Sequence, residues 1–438
     1  MSFIKNRTEL LAHSTGELRL AREILLEAIE KALSAADPKK AVENFLKIED
    51  GKLKIEQEVL EIKGRIFVLS IGKAACPMLE AALSRLERVD YALAVVPKGQ
   101  KKMGGVEEIE GGHPLPDEGS ILAGEKIMQL SKHLRPEDLL LCLISGGGSA
   151  MLELPPPGVS LEDLRITNEL LLKCGANIHE INTVRKHVSL LKGGQLAKLI
   201  PCRVISLLIS DVPGDVKHSI ASGPTEPDPT SFHDAREILL RYAIWDRLPQ
   251  SVRDWIERGI RGEVEETPKP GDKIFERCRS WIIASNSLSL NSAAKVGEKY
   301  GLRVFVSELS GEAREMGKRI ARIFARGLHL WGGETTVTVK GTGKGGRNQE
   351  LVLAACPELD GRKSALFSVG TDGIDGQTDA AGAMADGMTL ERARKMGLDP
   401  ADFLERNDSY TFFKMLEDLI FTGPTGTNVM DIAGLVNL

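Results

Sequence analysis

The chain has 438 residues, of which 42% are hydrophobic and 27% charged. That is the composition of a globular protein with apolar mass for more than one core, so two or three domains are expected. Fifty-seven basic residues against 62 acidic ones leave a net charge of −5, with only 5% aromatics, which excludes nucleic acid as the main partner. Apolar runs such as 139–144 and 204–209 are far below the roughly 18 residues a membrane helix needs. Residues 1–9 lack the apolar stretch of a secretory signal, and a cytoplasmic protein without a membrane partner is expected. Cys76, Cys142, Cys174, Cys202, Cys278 and Cys356 are scattered, with no C-x-x-C and no His at metal-ligand spacing. They read as small core residues in a reducing compartment.

The first fifty residues read as helical. Ser14-Thr15-Gly16-Glu17 opens a periodic stretch over 18–33, Asp37-Pro38 ends it, and a shorter helix runs to Leu46. From Lys63 the pattern changes to short, non-alternating apolar runs at 65–70, 90–96, 138–144, 203–209, 280–284, 302–306 and 365–369. Helical patterns such as 117–132 and 161–176 separate most of them. Such alternation predicts an α/β protein with largely parallel sheets. The polar segment 263–272, with two prolines and a glycine, marks a linker. The expected organisation is an N-terminal helical segment (1–61) packing on the C-terminal domain, a Rossmann-like α/β domain (62–245) and a C-terminal α/β domain (246–438).

In open α/β sheets ligands bind beyond the carboxyl ends of the strands, so the residues after each run carry the chemistry. Lys73, in Ser70-Ile71-Gly72-Lys73-Ala74, sits at a helix start where backbone amides favour an anion. Gly146, Gly147, Gly148 and Ser149 follow the next run; consecutive glycines let backbone amides approach a phosphate or nucleotide. Asp211, in Ser210-Asp211-Val212-Pro213, can take a proton from a hydroxyl or hold Mg²⁺, or else form an Asx turn. Asn182 and Lys186 share a helix face with Arg185 beside it, a basic cluster for a substrate carboxylate or phosphate, unless it is a solvated face. Gly341, Gly343 and Gly346 satisfy G-x-G-x-x-G after a Thr/Val-alternating strand at 335–340. That lone motif is weak support for a dinucleotide, and Arg347 at the next helix start would compete for the phosphate. We read the loop as presenting Arg347 to an anion. Asp372 and Asp375, in Gly370-Thr371-Asp372-Gly373-Ile374-Asp375, suit Mg²⁺, or an Asx-held turn. The loops Gly111-Gly112-His113-Pro114 and 422–428 also read as ligand-facing. Neither a Walker A motif nor the H-R-D and D-F-G signatures occur.

Taken in order, Ser-Gly-Gly-Gly-Ser-Ala (145–150), Asn-Thr-Val-Arg-Lys-His (182–187), Ser-Asp-Val-Pro-Gly-Asp (210–215), Ala-Ser-Gly-Pro-Thr (221–225), Gly-Gly-Glu-Thr-Thr-Val (332–337), Gly-Gly-Arg-Asn-Gln-Glu (345–350) and Gly-Thr-Asp-Gly-Ile-Asp-Gly (370–376) resemble the MOFRL-domain glycerate 2-kinase family. The resemblance spans about residues 70–428. It implies a Rossmann-like domain plus a smaller mixed-sheet MOFRL-type domain, and ATP- and Mg²⁺-dependent phosphorylation of D-glycerate at its 2-hydroxyl. It also implies importance for Lys73 and Arg347. Members of the family have also carried hydroxypyruvate reductase labels, so an NAD(P)H-dependent reductase is the competing expectation. The resemblance leaves a homodimer open.

Overall fold

The aliphatic runs between residues 66 and 284 lie side by side because each is buried on both faces and can satisfy its backbone only in a ladder. A computed structural model describes residues 2–49, 52–56, 58–100 and 103–438. It divides the chain into two units, Pro38–Ile283 and a discontinuous one made of Met1–Asp37 with Ala284–Leu438.

The continuous unit begins with a small antiparallel sheet of β1 (Lys47–Glu49), β2 (Lys52–Ile55) and β3 (Glu58–Leu60). The expected helical segment 1–61 therefore ends early. Its tail carries two-residue alternation, as in Lys52-Leu53-Lys54-Ile55, which suits a half-exposed strand. The main sheet contains β4 (Ile66–Ile71), β5 (Tyr91–Pro97), β6 (Glu107–Gly111), β7 (Leu139–Ile144), β8 (Arg203–Ile209) and β9 (Cys278–Ala284), in the order β6-β5-β4-β7-β8-β9. The pairs from β6 through β8 are parallel. Strand order runs outward in opposite directions from β4 and β7, so the switch point lies between them. Phe67, Leu69, Leu140, Cys142, Val204 and Leu208 share one core cluster. A second cluster joins helices Leu161–Lys173, Phe232–Arg241 and Gln250–Ile260.

The expected linker at 263–272 is not a boundary. Thr267 is buried and its hydroxyl donates to Asp228 at 3.0 Å, while Glu266 accepts from the Phe232 amide at 2.9 Å. These bonds strap the segment to its own unit, and β9 extends that unit's sheet. The change of unit falls at 283/284 instead of at 245/246.

The discontinuous unit holds a second six-stranded sheet: β10 (Val304–Leu309), β11 (Gly327–Gly333), β12 (Ser364–Gly370), β13 (Gly382–Asp386), β14 (Leu419–Ile420) and β15 (Asp431–Asn437). Its order is β10-β11-β15-β12-β13-β14, and only β10–β11 is parallel. The N-terminal helix Gly16–Ala36 and the helix Asn286–Lys299 cover one face, where Ile24, Leu25, Leu290 and Phe367 meet. Helices Ala313–Ala321 and Arg347–Leu359 cover the other, over Leu366 and Leu435. The expected strand at 335–340 is extended chain with a single bridge, Thr336 to Glu312. Its Thr/Val alternation supplies no second apolar face to bury.

Candidate active site

The loops after β4 and β7 flank the switch point and are stitched together. Gly72 has φ +110°, and a Cβ there would lie 2.5 Å from both Ser145 oxygens, so only glycine fits. The Lys73 amide donates to the Gly146 carbonyl at 3.0 Å, and the Ala74 amide to Ser145 Oγ at 3.0 Å. A Cβ on Gly147 would lie 3.4 Å from Lys73 Cγ and 3.1 Å from His113 Cδ2, so both side chains line the space that this glycine leaves open. A Cβ on Gly146 would lie 2.0 Å from Asp211 Oδ2, so the Asp211 carboxylate rests directly on that α-carbon. The structure thus brings Lys73, Gly146, Gly147 and Asp211 together and adds His113. Gly146→Ala is expected to drive Asp211 off its position and lower kcat about 10²-fold, the usual cost of an ångström-scale misplacement. Steady-state kinetics with a melting curve check this; a folded variant with unchanged kcat would refute it.

The basic helix Ile178–His187 divides its residues between two roles. Lys186 is buried, with Nζ 3.1 Å from Asp228 Oδ1 and 3.1 Å from His218 Nδ1. Burial lowers its pKa against the pull of Asp228. It is an internal ion-pair residue, which corrects the reading that placed it on substrate. Asn182 is also interior: its Nδ2 donates to Ser219 O at 3.0 Å and its Oδ1 accepts from Ser222 Oγ at 3.0 Å. Ser222 Oγ lies 2.8 Å from Ser149 Oγ. Asn182 therefore supports Ser149 through Ser222, and the expectation that it binds substrate gives way to that supporting position. Ala221 and Ser222 hold φ of +49° and +58° beneath this chain, backbone strain of the kind that collects at functional loops.

Arg185 alone points toward the cluster. Its Nε donates to Asn168 Oδ1 at 2.6 Å, and burial lowers its pKa. Among the described residues neither Arg185 nor Lys73 has a carboxylate within salt-bridge distance. Partial burial, then the charges of Lys73 and Arg185, push the His113 imidazole down to about 4. Two cations outside any ion pair, a neutral imidazole and glycine backbone form a pocket suited to an anion.

The discontinuous unit presents Arg347 at the first position of its helix. Its Nε donates to Asp431 Oδ2 at 2.5 Å, and its Nη2 to Asp431 Oδ1 at 3.0 Å and Glu334 Oε1 at 2.8 Å. Burial works against the guanidinium charge, and Asp431, then Glu334, reverse that and raise its pKa. Nη1 has no protein acceptor among the described residues. Asp431, 84 residues away, has no local sequence signal; Glu334 lies in a motif already singled out above.

Asp375 is buried and caps this same helix. Its Oδ1 accepts from the Asn348 amide at 3.1 Å and its Oδ2 from the Gln349 amide at 2.8 Å. Asp372 Oδ1 accepts from the Ile374 amide at 3.1 Å, an Asx turn. Among the described residues no three His, Cys, Asp or Glu side chains are grouped to hold a metal ion. Both oxygens of Asp375 are thus taken up by helix amides and one oxygen of Asp372 by its own turn, where the sequence suggested Mg²⁺ ligands. The glycines at 341–346 serve packing. Gly341 N donates to Asn407 Oδ1 at 2.9 Å, and a Cβ on Gly341 would lie 2.2 Å from Arg406 O. No strand precedes them as a dinucleotide fold requires.

The chain is similar to known proteins over most of its length. A family model described as a domain of unknown function (DUF4147) matches residues 24–257, and the MOFRL family model matches 327–431. A glycerate 2-kinase of Pyrococcus horikoshii is 45% identical over 94% of this chain and 96% of its own length. A relative from Agrobacterium vitis with a provisional hydroxypyruvate reductase name is 41% identical over 95% of this chain and 94% of its own. The crystal structure of a glycerate kinase from Thermotoga maritima superposes with a TM-score of 0.83 at 36% identity, covering 95% of this chain and 99% of that one.

Proposed function

We propose, for a chain that belongs to the MOFRL-domain glycerate 2-kinase family, phosphoryl transfer from ATP to the 2-hydroxyl of D-glycerate, giving 2-phosphoglycerate and ADP. The observation that carries this reading is the pocket of Lys73 and Arg185, two cations without carboxylate partners beside a glycine loop that holds Asp211 at its α-carbon. Phosphoryl transfer asks a protein for positioning and positive charge, and little covalent chemistry.

In this reading Arg185 takes the glycerate carboxylate and the loop at 146–149 takes phosphate. Lys73 neutralises charge on the equatorial oxygens of the transferred group. Asp211 accepts the 2-hydroxyl proton as the oxygen bonds to the γ-phosphorus, and the bond from that phosphorus to the β,γ-bridging oxygen breaks to release ADP. Arg347, fixed by Asp431 and Glu334, is the second cation assigned to the transfer. Magnesium enters as the metal complex of the ATP substrate. Asp211→Asn is expected to lower kcat by about 10²- to 10⁴-fold, the range for a general base. Near-normal turnover in that variant would remove Asp211 from the role.

The decisive assay supplies D-glycerate, ATP and Mg²⁺, read through enolase alone and again with phosphoglycerate mutase. Signal through enolase alone means 2-phosphoglycerate and supports the proposal. Signal that needs the mutase means 3-phosphoglycerate and refutes the regiochemistry. NADH consumption on hydroxypyruvate without ADP formation would favour a reductase, for which Gly341, Gly343 and Gly346 are the main sequence support; in the fold Gly341 and Gly343 pack against Arg406 and Gly346 against Asp375.

A further inference from the structure

His113 is the one ring in the pocket whose nitrogens have no hydrogen-bond partner among the described residues. Its loop is fixed from behind. The Gly112 amide donates to Asp117 Oδ1 at 2.9 Å and to Ser120 Oγ at 3.1 Å, and Asp117 Oδ2 pairs with Lys98 Nζ at 2.6 Å. A Cβ on Gly111 would strike the Met151 backbone at 2.6 Å, so the loop cannot retreat toward the helix behind it. In front, the ring packs over Gly147 next to the Lys73 stem. The sequence marked this loop only as ligand-facing and gave the ring no role.

We propose that His113 completes the anion pocket as a substrate-contacting residue, a neutral imidazole that meets the D-glycerate carboxylate and takes up a proton when that anion arrives. The charges that face it account for this. Lys73 from the loop after β4 and Arg185 from helix Ile178–His187 disfavour an imidazolium while the pocket is empty. The nearby carboxylates are committed elsewhere: Asp117 to Gly112, Ser120 and Lys98, and Glu153 to Lys192 and Ser189. Asp211 rests on Gly146, on the other side of the glycine pair. A bound carboxylate offsets both cations and supplies the acceptor that an imidazolium N–H needs. The ring's ionisation midpoint therefore rises on binding, and affinity for D-glycerate improves as pH falls through the bound-state midpoint. The role rests on the glycerate kinase reading above.

The test is a pH titration of full-length protein with ¹³C-labelled histidine, followed by NMR with and without saturating D-glycerate. His113→Gln identifies the resonance among the eight histidines. D-glycerate begins to protonate close to the free ring's midpoint of about 4, so the bound-state midpoint is read above about pH 5, where the ligand is ionised and contributes no proton of its own. The expected result is a free-protein midpoint well below that of ordinary histidine and a rise of at least one pH unit with D-glycerate. His113→Gln should weaken D-glycerate binding about tenfold or more, as for one hydrogen bond to a charged group. An unmoved midpoint in protein whose D-glycerate affinity falls on Lys73→Met or Arg185→Gln would overturn the role of His113 and leave the pocket assignment standing. Unchanged D-glycerate affinity in both those variants would overturn the pocket assignment itself, and this inference with it. The wild-type titration stands whatever the stability of the glutamine variant.

Discussion

Arg347→Ala is expected to lower kcat/KM for D-glycerate by about 10³-fold or more, the scale of an arginine that stabilises phosphoryl-transfer charge. The guanidinium is held in a fixed orientation. Two of its nitrogens are spent on Asp431 and Glu334, which fix its plane, and Nη1 is left to meet a ligand. The variant strands the buried Asp431 carboxyl. Burial already drives that carboxyl upward against Arg347, so without the arginine it takes a proton and becomes neutral. The fold should then lose little stability at pH 6 and more at pH 8, where protonation is costlier. Steady-state kinetics and melting curves at both pH values check the prediction. A loss below tenfold would remove Arg347 from the transition state, and an equal collapse of the fold at both pH values would refute the account of Asp431.

Arg22 is expected to carry the largest stability effect in the molecule. It is fully buried on the N-terminal helix, and its Nε and Nη1 donate to Asp386 at 2.6 Å, Asp418 at 2.7 Å and the Leu10 carbonyl at 2.8 Å. Burial opposes its charge, and Asp418 with Asp386 more than restores it. Asp386 also accepts from Ser14 Oγ at 2.6 Å, and Asp418 pairs with Arg392. Arg22→Ala leaves two buried carboxylates short of a partner, for which about 3–5 kcal/mol is the usual cost. In a protein of this size each kcal/mol moves Tm by roughly 2–4 °C or less. Calorimetry should show the transition of the discontinuous unit falling by about 6–20 °C. A drop of under 2 °C would mean that the network adds nothing beyond packing.

The sequence made local chemistry legible and long-range chemistry much less so. That Lys73, the glycine run and Asp211 lie together was readable because each follows a buried apolar strand, and strand ends of a parallel sheet share one edge. Lys186 and Asn182 were misread because helix spacing shows which residues share a face without showing that the face points inward; Asp228 and Ser219, which satisfy them, lie 42 and 37 residues away. Asp375 looked like a metal ligand because a carboxylate in a glycine-rich turn has the same local signature whether it binds a cation or caps a helix. Its partner amides, at 348 and 349, belong to another element. The β11 and β15 strands escaped notice because glycines such as Gly332, Gly333 and Gly434 weaken the β signal inside them. Arg22 stands beside Ala21 and Ile24 on the apolar stripe of its helix, and its partners Asp386 and Asp418 lie 364 and 396 residues away, beyond the reach of local pattern.

The pairing of helix Gly16–Ala36 with residues 284–438 has a consequence during synthesis. The helix leaves the ribosome long before the sheet that buries its apolar stripe, which is completed only by β15. At about 5–20 residues per second, translating the intervening 400 or so residues takes roughly 20–80 s. The unit at 38–283 has its whole sequence in hand well before then. Until helix Asn286–Lys299 and then the sheet follow, Ile24, Leu25 and Ile29 wait without those partners, and the charge of Arg22 on the same face keeps the nascent segment from presenting an unbroken apolar surface.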